Sequence, residues 1–417
     1  MGNSKRFAAL AMAASLALVA AACGSDDNNN SAATTAGGAA TTTSAASASS
    51  TASSTASSTG GSTAGSTAGG AKQCEAGKPV VEELKSETAD GKGKTVGLMY
   101  DVTGRGDKSF NDSAAAGLDK AKADFGITGV ESTPAADNSD RPDRIKQVAQ
   151  GPAGLVVAVG FLWQTDLTQA AKDHPDKHFA IVDAVATDDN GTPDDTTDDK
   201  PLPNVRNIVF AEEQGSFLVG VAAACASKSG KVGFIGGVET DLIKKFQAGF
   251  TAGVEYVNPD ATVEVKYLTQ PPDFTGFNDA TKGKSTAAAM YSSGIDVVYA
   301  AAGGSGKGVF EAAVEAGKPG DVWAIGVDSD QYQIVDDAQK PYVLTSMLKR
   351  VDLATYQAIA DDLNGKLVPE IKTYDLKSGG IAYSGSNSAI DAYAGTIDKA
   401  KADIIAGKIV VPTKPGS

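Results

Sequence analysis

From about Lys94 onward, apolar runs of four to seven residues alternate with longer stretches whose apolar positions recur at helical spacing. The short runs predict strands at Thr95–Tyr100, Gly154–Val159, Phe179–Asp183, Lys231–Ile235, Val263–Leu268, Asp296–Ala300, Val322–Val327 and Tyr342–Met347. The longer stretches predict helices at Ser109–Phe125, Asp143–Gln150, Thr165–Asp173, Gln214–Ser227, Thr240–Asn258, Asp279–Ser293, Gly308–Ala316 and Asp352–Asn364. Strands that are apolar at consecutive positions suit burial on both faces, as in parallel βαβ units. With 417 residues and about 150 residues per domain, the expectation is α/β: two doubly wound parallel-sheet lobes.

Ligands of doubly wound sheets bind beyond the carboxyl ends of the strands. At those ends stand Tyr100-Asp101-Val102-Thr103-Gly104, Gly160-Phe161-Leu162-Trp163, Asp183, Gly236-Gly237, Gly303-Gly304-Ser305-Gly306 and Asp328-Ser329-Asp330. Glycines, aromatics and carboxylates gathered at one edge describe a cleft for a small polar molecule.

Upstream the pattern changes. Lys5 and Arg6 precede an apolar run from Phe7 to Ala22, followed by Cys23 and polar residues. Residues 1–22 read as a secretory signal, short for a membrane span. The junction Leu18-Val19-Ala20-Ala21-Ala22-Cys23 resembles a bacterial lipobox, which implies a diacylglycerol on Cys23 and an extracytoplasmic protein anchored to the cell membrane. A plain secretory signal that happens to end near a Cys is the alternative. Residues 23–72 form a tether of Ser, Thr, Ala, Gly and Asn with no apolar period. Such a segment buries too little surface to offset its ordering entropy, and as a coil of roughly 50 residues it reaches about 40 Å. Residues 73–93 form an N-terminal extension to the folded part. Setting Cys23 aside leaves Cys74 and Cys225, which in an exported chain can pair in only one way; a bridge stapling the extension to the body stands against two free thiols.

Composition narrows the chemistry. The net charge of 37 − 51 = −14 gives no footprint for nucleic acid or for an anionic membrane surface. The two histidines, His174 and His178, leave little for imidazole catalysis or a His-rich metal site. Gly306-Lys307 and Gly283-Lys284-Ser285 fail as phosphate-binding loops because Ala301 and Asn278 occupy the position of the first glycine. Arg105-Gly106-Asp107 is a triplet of the kind any long chain offers. The insert Asp188–Asp199 has the carboxylate density of a Ca²⁺ loop but lacks its bidentate Glu and spacing, so a solvated acidic loop is expected. Asp101 and Asp107 do not supply the Asp-rich cluster of a nucleoside hydrolase. No catalytic group, metal or cofactor is expected.

The stretch Asp101-Val102-Thr103-Gly104-Arg105-Gly106-Asp107-Lys108-Ser109-Phe110-Asn111 resembles the Asp-x-Gly-Gly-x-x-Asp-Lys-Ser-Phe-Asn signature of the basic membrane protein family. These are ABC-transporter solute-binding lipoproteins that include bacterial purine-nucleoside receptors. The resemblance continues through Val159-Gly160-Phe161-Leu162, Phe179–Asp183, Val232–Gly237, Phe246–Phe250, Gly326–Gln331 and Leu344–Lys349. It implies a type I periplasmic-binding-protein fold, with lobes at 94–208 plus 346–372 and 209–345 plus 373–417 joined by three crossovers.

It also implies the ligand contacts. Phe110 and Phe277, preferred over Phe274, would sandwich a purine, whose flat π face suits two rings. Asp328 would accept from ribose hydroxyls, with Lys349 donating to ribose oxygens and neutralising that carboxylate. Asp101 or Asp183 would accept from ring or exocyclic N–H groups, with Ser109, Asn111 and the Gly304 turn completing the site. The sequence departs from the pattern at Thr103, which replaces the first glycine of the pair, and in the insert Asp188–Lys200. No arginine is assigned to an anionic ligand, which disfavours nucleotides. The expected role is a monomeric receptor that captures a purine nucleoside and passes it to an ABC permease and its ATPase. A sensory receptor, or the same transport role with a sugar, is the alternative.

Overall fold

The computed structural model describes residues 72–80, 83–135, 138–189, 197 and 199–416. The leader, Cys23 and the tether through residue 71 lie outside the described residues, as do residues 190–196 and 198 of the acidic insert.

The chain first winds β1 (Thr95–Met99), α1 (Phe110–Phe125), β2 (Thr128–Ser132), α2 (Arg141–Gln150), β3 (Leu155–Val159), α3 (Gln164–Asp173), β4 (His178–Val182), a hairpin of β5 (Thr187–Asp188) and β6 (Lys200–Pro201), and β7 (Val205–Phe210). A second series follows: α4 (Glu212–Ala226), β8 (Lys231–Val238), α5 (Asp241–Val257), β9 (Thr262–Thr269), α6 (Ala280–Ser292), β10 (Val297–Ala301), α7 (Gly306–Ala316), β11 (Trp323–Asp328), α8 (Gln331–Ile334) and β12 (Val343–Lys349). The chain ends with α9 (Val351–Leu363), β13 (Ile371–Tyr374), β14 (Ile381–Tyr383) and α10 (Ala394–Ile405).

Two sheets result, in the orders β13-β7-β4-β3-β1-β2 and β14-β12-β11-β10-β8-β9. Their pairings are parallel except β12 with β14. Every residue of β3 and of β10 is buried, which is why these strands read as unbroken apolar runs. Strand order reverses between β1 and β3 and again between β8 and β10, opening a crevice at each carboxyl edge.

The chain changes sheets at Ala211, at Arg350 and between β13 and β14. The second switch lies after β12, not at residue 346, because β12 stays paired with β11 as far as Leu348. The outer two switches also fall slightly later than expected, since β7 runs to Phe210 and pairs there with Tyr374 of β13.

Residues 72–80 and 83–93 lie as a strap against both lobes. Cys74 is disulfide-bonded to Cys225 on α4, and the Glu75 N–H donates to the Thr396 hydroxyl on α10. Further along, the Glu87 N–H donates to Tyr356 on α9 and the Gly91 N–H to the carbonyl of Phe125 on α1. Inside the second lobe, α4 and α5 meet backbone to backbone. A Cβ on Gly249 would stand 2.1 Å from the Glu213 carbonyl oxygen, and one on Gly253 the same distance from that of Phe217.

Candidate ligand-binding site

The site is built from strand ends and one helix start. Asp183 follows β4 with φ 68°, and Asp328 ends β11 with φ 65°. A left-handed residue at a strand end turns its side chain out of the ladder, and Asp tolerates that conformation better than most residues do. Both carboxylates thereby line the cleft between the lobes.

At the start of α1, Asp107 takes over the capping. Its Oδ1 accepts from the N–H groups of Ser109 (2.9 Å) and Asp112 (3.1 Å), and its Oδ2 from the N–H of Asn111 (2.8 Å). This frees the Ser109 hydroxyl to donate to Asp328 Oδ2 at 2.5 Å across the cleft. Ser109 is fully buried and does not line the cavity, so it holds the carboxylate instead of adding its own ligand bond. Asn111 lines the cavity, yet its amide is committed: Oδ1 accepts from the Asp101 N–H (3.0 Å), while Nδ2 donates to Asp107 and to Thr103 Oγ1 (both 3.0 Å). The hydroxyl of Thr103 therefore serves the loop.

Lys349 corrects the expected pairing. Its Nζ lies 2.7 Å from Asp183 Oδ2 and 3.1 Å from Glu212 Oε1, with no hydrogen bond to Asp328. The ion network bridges the lobes, because Asp183 follows β4 of the first lobe while Lys349 ends β12 and Glu212 starts α4 of the second. The ammonium donates a hydrogen bond to Asp183 Oδ2, whereas the contact to Glu212 is an ion pair that leaves Oε1 without a hydrogen bond. The ammonium also lies 5.2 Å from the Phe110 ring centroid.

Phe110 and Phe277 both line the cavity, one from each lobe, together with Phe161 and Phe246. Phe274 stands outside it, edge-on to Phe161 at 5.9 Å between centroids. Of the residues expected at the ligand, Asp101, Phe110, Asn111, Asp183, Phe277, Gly304, Asp328 and Lys349 are brought together. Sequence reasoning missed Glu212, whose strand end at β7 went unrecognised, and the apolar wall of Leu242, Ile243 and Phe246 at the start of α5. The spacing of Leu242 and Phe246, one helical turn apart beyond a strand, was the available signal.

Burial dominates the electrostatics. It pushes Asp101 up to about 7, with Arg141 opposing and Asp183 adding to the shift. It likewise pushes Asp328 up to about 7 against the pull of Lys349 and the Ser109 hydrogen bond, and raises Asp183 despite Lys349. Burial would lower Lys349, but the carboxylates of Asp183, Glu212 and Asp328 outweigh it and its pKa is raised. One Oδ1 each of Asp101 and Asp183 is buried without a hydrogen-bond donor. Among the described residues, no group of side chains is arranged to hold a metal ion, and no helix is long and apolar enough to cross a membrane.

Two parallel-sheet lobes joined by three crossovers around a cleft of aromatic rings and carboxylates have the architecture of a solute-binding protein. A family model described as ABC transporter substrate-binding protein PnrA-like (Bmp) matches residues 94–414. The chain is 38% identical over 337 residues to the ABC transporter nucleoside-binding protein BmpA of Lactococcus lactis, covering 76% of this chain and 88% of the relative. It is 37% identical to a CD4+ T-cell-stimulating antigen of Listeria monocytogenes, with 77% and 88% covered. Among solved structures, an ABC transporter solute-binding protein from Aeropyrum pernix superposes with a TM-score of 0.63 at 29% identity, covering 77% of this chain and 94% of that one. The chain belongs to the basic membrane protein family of ABC transporter substrate-binding proteins. Its work is binding, not catalysis, and it is carried out outside the cytoplasm.

Proposed function

We propose that this chain is a lipid-anchored receptor that captures a purine nucleoside between its lobes and delivers it, as a monomer, to an ABC permease driven by its ATPase. The observation that carries the reading is the pair of half-buried rings, Phe110 and Phe277, facing one cavity from opposite lobes with Asp101, Asp183 and Asp328 around them. A purine offers both a π face for the rings and N–H donors for carboxylates. The ribose hydroxyls suit Asp328 as acceptor and the ammonium of Lys349 as donor. The carboxylate excess disfavours phosphorylated ligands by charge repulsion. The named nucleoside-binding relative of Lactococcus lactis supports the same class. Anchorage through Cys23 rests on the lipobox, which lies outside the described residues.

Isothermal titration with inosine, adenosine, their 2′,3′-dideoxy forms, the free bases and simple sugars tests the proposal. Asp328→Ala is expected to weaken the ribonucleosides by about 2–4 kcal/mol and leave the dideoxy forms nearly unchanged. Equal weakening of both would make Asp328 a hinge element, and binding of sugars without nucleosides would overturn the ligand class. Loss of membrane association in Cys23→Ser cells would check the anchor.

A further inference from the structure

Asp101 has a neighbour that no ligand assignment includes. Arg141, the first residue of α2, does not line the cavity, and its Nη2 stands 3.6 Å from Asp101 Oδ1. That separation is an ion pair without a hydrogen bond, so Oδ1 keeps its capacity to accept from a ligand. The Arg141 guanidinium lies over the ring of the fully buried Trp163, 5.5 Å from its centroid. Arg144, on the same helix, lies 4.7 Å from that centroid and donates to the carbonyls of Tyr100 and Ser132 at 3.2 and 3.1 Å. The start of α2 is thus clamped to the carboxyl ends of β1 and β2.

The Asp101 carboxylate is wedged from another side by Gly160, where φ is 113° and a Cβ would stand 2.2 Å from Oδ2. Charged groups face Asp101 from two directions: Arg141 and Arg144 from α2, and Asp183 from the end of β4. From α1, Asn111 fixes its backbone N–H. Asp166 on α3 shares the field of Arg141.

We propose that Arg141 is a positioning residue for ligand recognition: from outside the cavity its guanidinium orients the Asp101 carboxylate and opposes its protonation, so that Oδ1 accepts a hydrogen bond from a ligand N–H or O–H. The nature of that ligand rests on the nucleoside reading; the pairing itself does not. A buried carboxylate beside Asp183 takes up a proton readily, and a protonated Asp101 is a poor acceptor for a neutral ligand. Arg141 supplies the opposing charge from outside the cavity, where it adds no donor that would favour a phosphate.

The test uses the whole folded chain with Arg141→Met, which keeps bulk near Trp163, and Arg141→Lys, which keeps the charge. In ligand-free protein, carbon-13 NMR follows the Asp101 carboxyl, assigned by its absence in Asp101→Asn. The midpoint is expected to rise by about 1 unit or more in Arg141→Met and to return most of the way in Arg141→Lys. Titration with inosine at several pH values should then show Arg141→Met weakened at neutral pH, up to about tenfold per unit of midpoint shift, with recovery on the alkaline side. An unmoved midpoint, or a loss of affinity equal at every pH, would overturn the proposal and make Arg141 a brace for Trp163. If Arg141→Met does not fold, Arg141→Lys must still move the midpoint slightly, and a wild-type value there together with a pH-independent loss counts against it. If the wild type binds no nucleoside, the ligand reading fails while the carboxyl titration still decides the role of Arg141.

Discussion

Asp183 and Asp328 sit in left-handed backbone at corresponding strand ends of the two sheets, a conformation retained where surrounding structure over-determines it. Their burial sets opposite pH dependences for folding and binding. Asp101 and Asp328 titrate at about 7 in the folded protein against 3.8 for an ordinary Asp. Between these values the folded state holds protons that the unfolded chain has released. The stability these groups contribute is full below about pH 4 and is lost as the pH rises through about 7. Ligand N–H groups, however, want the ionised acceptors. Calorimetric melting should therefore show this part of the ligand-free stability falling from about pH 4 to about pH 7, while the rise in Tm on adding inosine grows. A ligand-induced rise that is largest at pH 5 would argue against ionised acceptors. Phe110→Ala removes one face of the sandwich and is expected to weaken nucleoside and free base alike by about 1–3 kcal/mol in titration calorimetry; a loss confined to the nucleoside would relocate the stack.

At the scale of elements, the start of α1 joins sequence motif to function. Asp107 gathers three backbone N–H groups that would otherwise be orphaned, and so sets the direction of Phe110 and Asn111. Asp107→Ala should lower stability by about 1–2 kcal/mol in chemical denaturation and weaken every nucleoside together, whereas Asp107→Asn should keep most of both. A variant with normal affinity would show that α1 holds Phe110 by packing alone. Elements differ in how legible they are from sequence. The buried strands β1, β3, β4 and β10 stand out as apolar runs, and the helices α1 to α7 and α9 by their period. β2 is Thr-Gly-Val-Glu-Ser with no buried position, so no apolar run marks it. β13 and β14 are four and three residues long, too short for any pattern to rise above chance.

At the scale of the whole molecule, the lobes are bonded across the cleft. Besides Ser109 to Asp328, the Ser329 hydroxyl donates to the Ser109 carbonyl at 2.8 Å and the Gln331 amide to that of Lys108 at 2.8 Å. The strap adds a further link, pinned to α4 by Cys74–Cys225 over a separation of 151 residues. Replacing both cysteines by serine should lower stability by about 2–5 kcal/mol in denaturant titration. Because neither cysteine lines the cavity, inosine affinity is expected to stay near wild type, and a large loss would mean that the strap governs lobe closure. The alternation of apolar runs and amphipathic stretches was enough by itself to establish α/β lobes and the strand edge at which the cleft opens, because burial on two faces leaves its mark residue by residue. The short signature Asp-Lys-Ser-Phe-Asn and its companions marked Phe110, Asp101 and Asp328 for the same reason: local motif and local geometry coincide there. Which charges meet was decided only by the fold. Lys349 could be read as the partner of Asp328, yet it pairs with Asp183 and Glu212, residues 166 and 137 positions away in the chain (349 − 183 and 349 − 212). Ser109 serves Asp328 and Arg141 faces Asp101 through distances set by sheet order and helix packing, which no spacing along the sequence encodes.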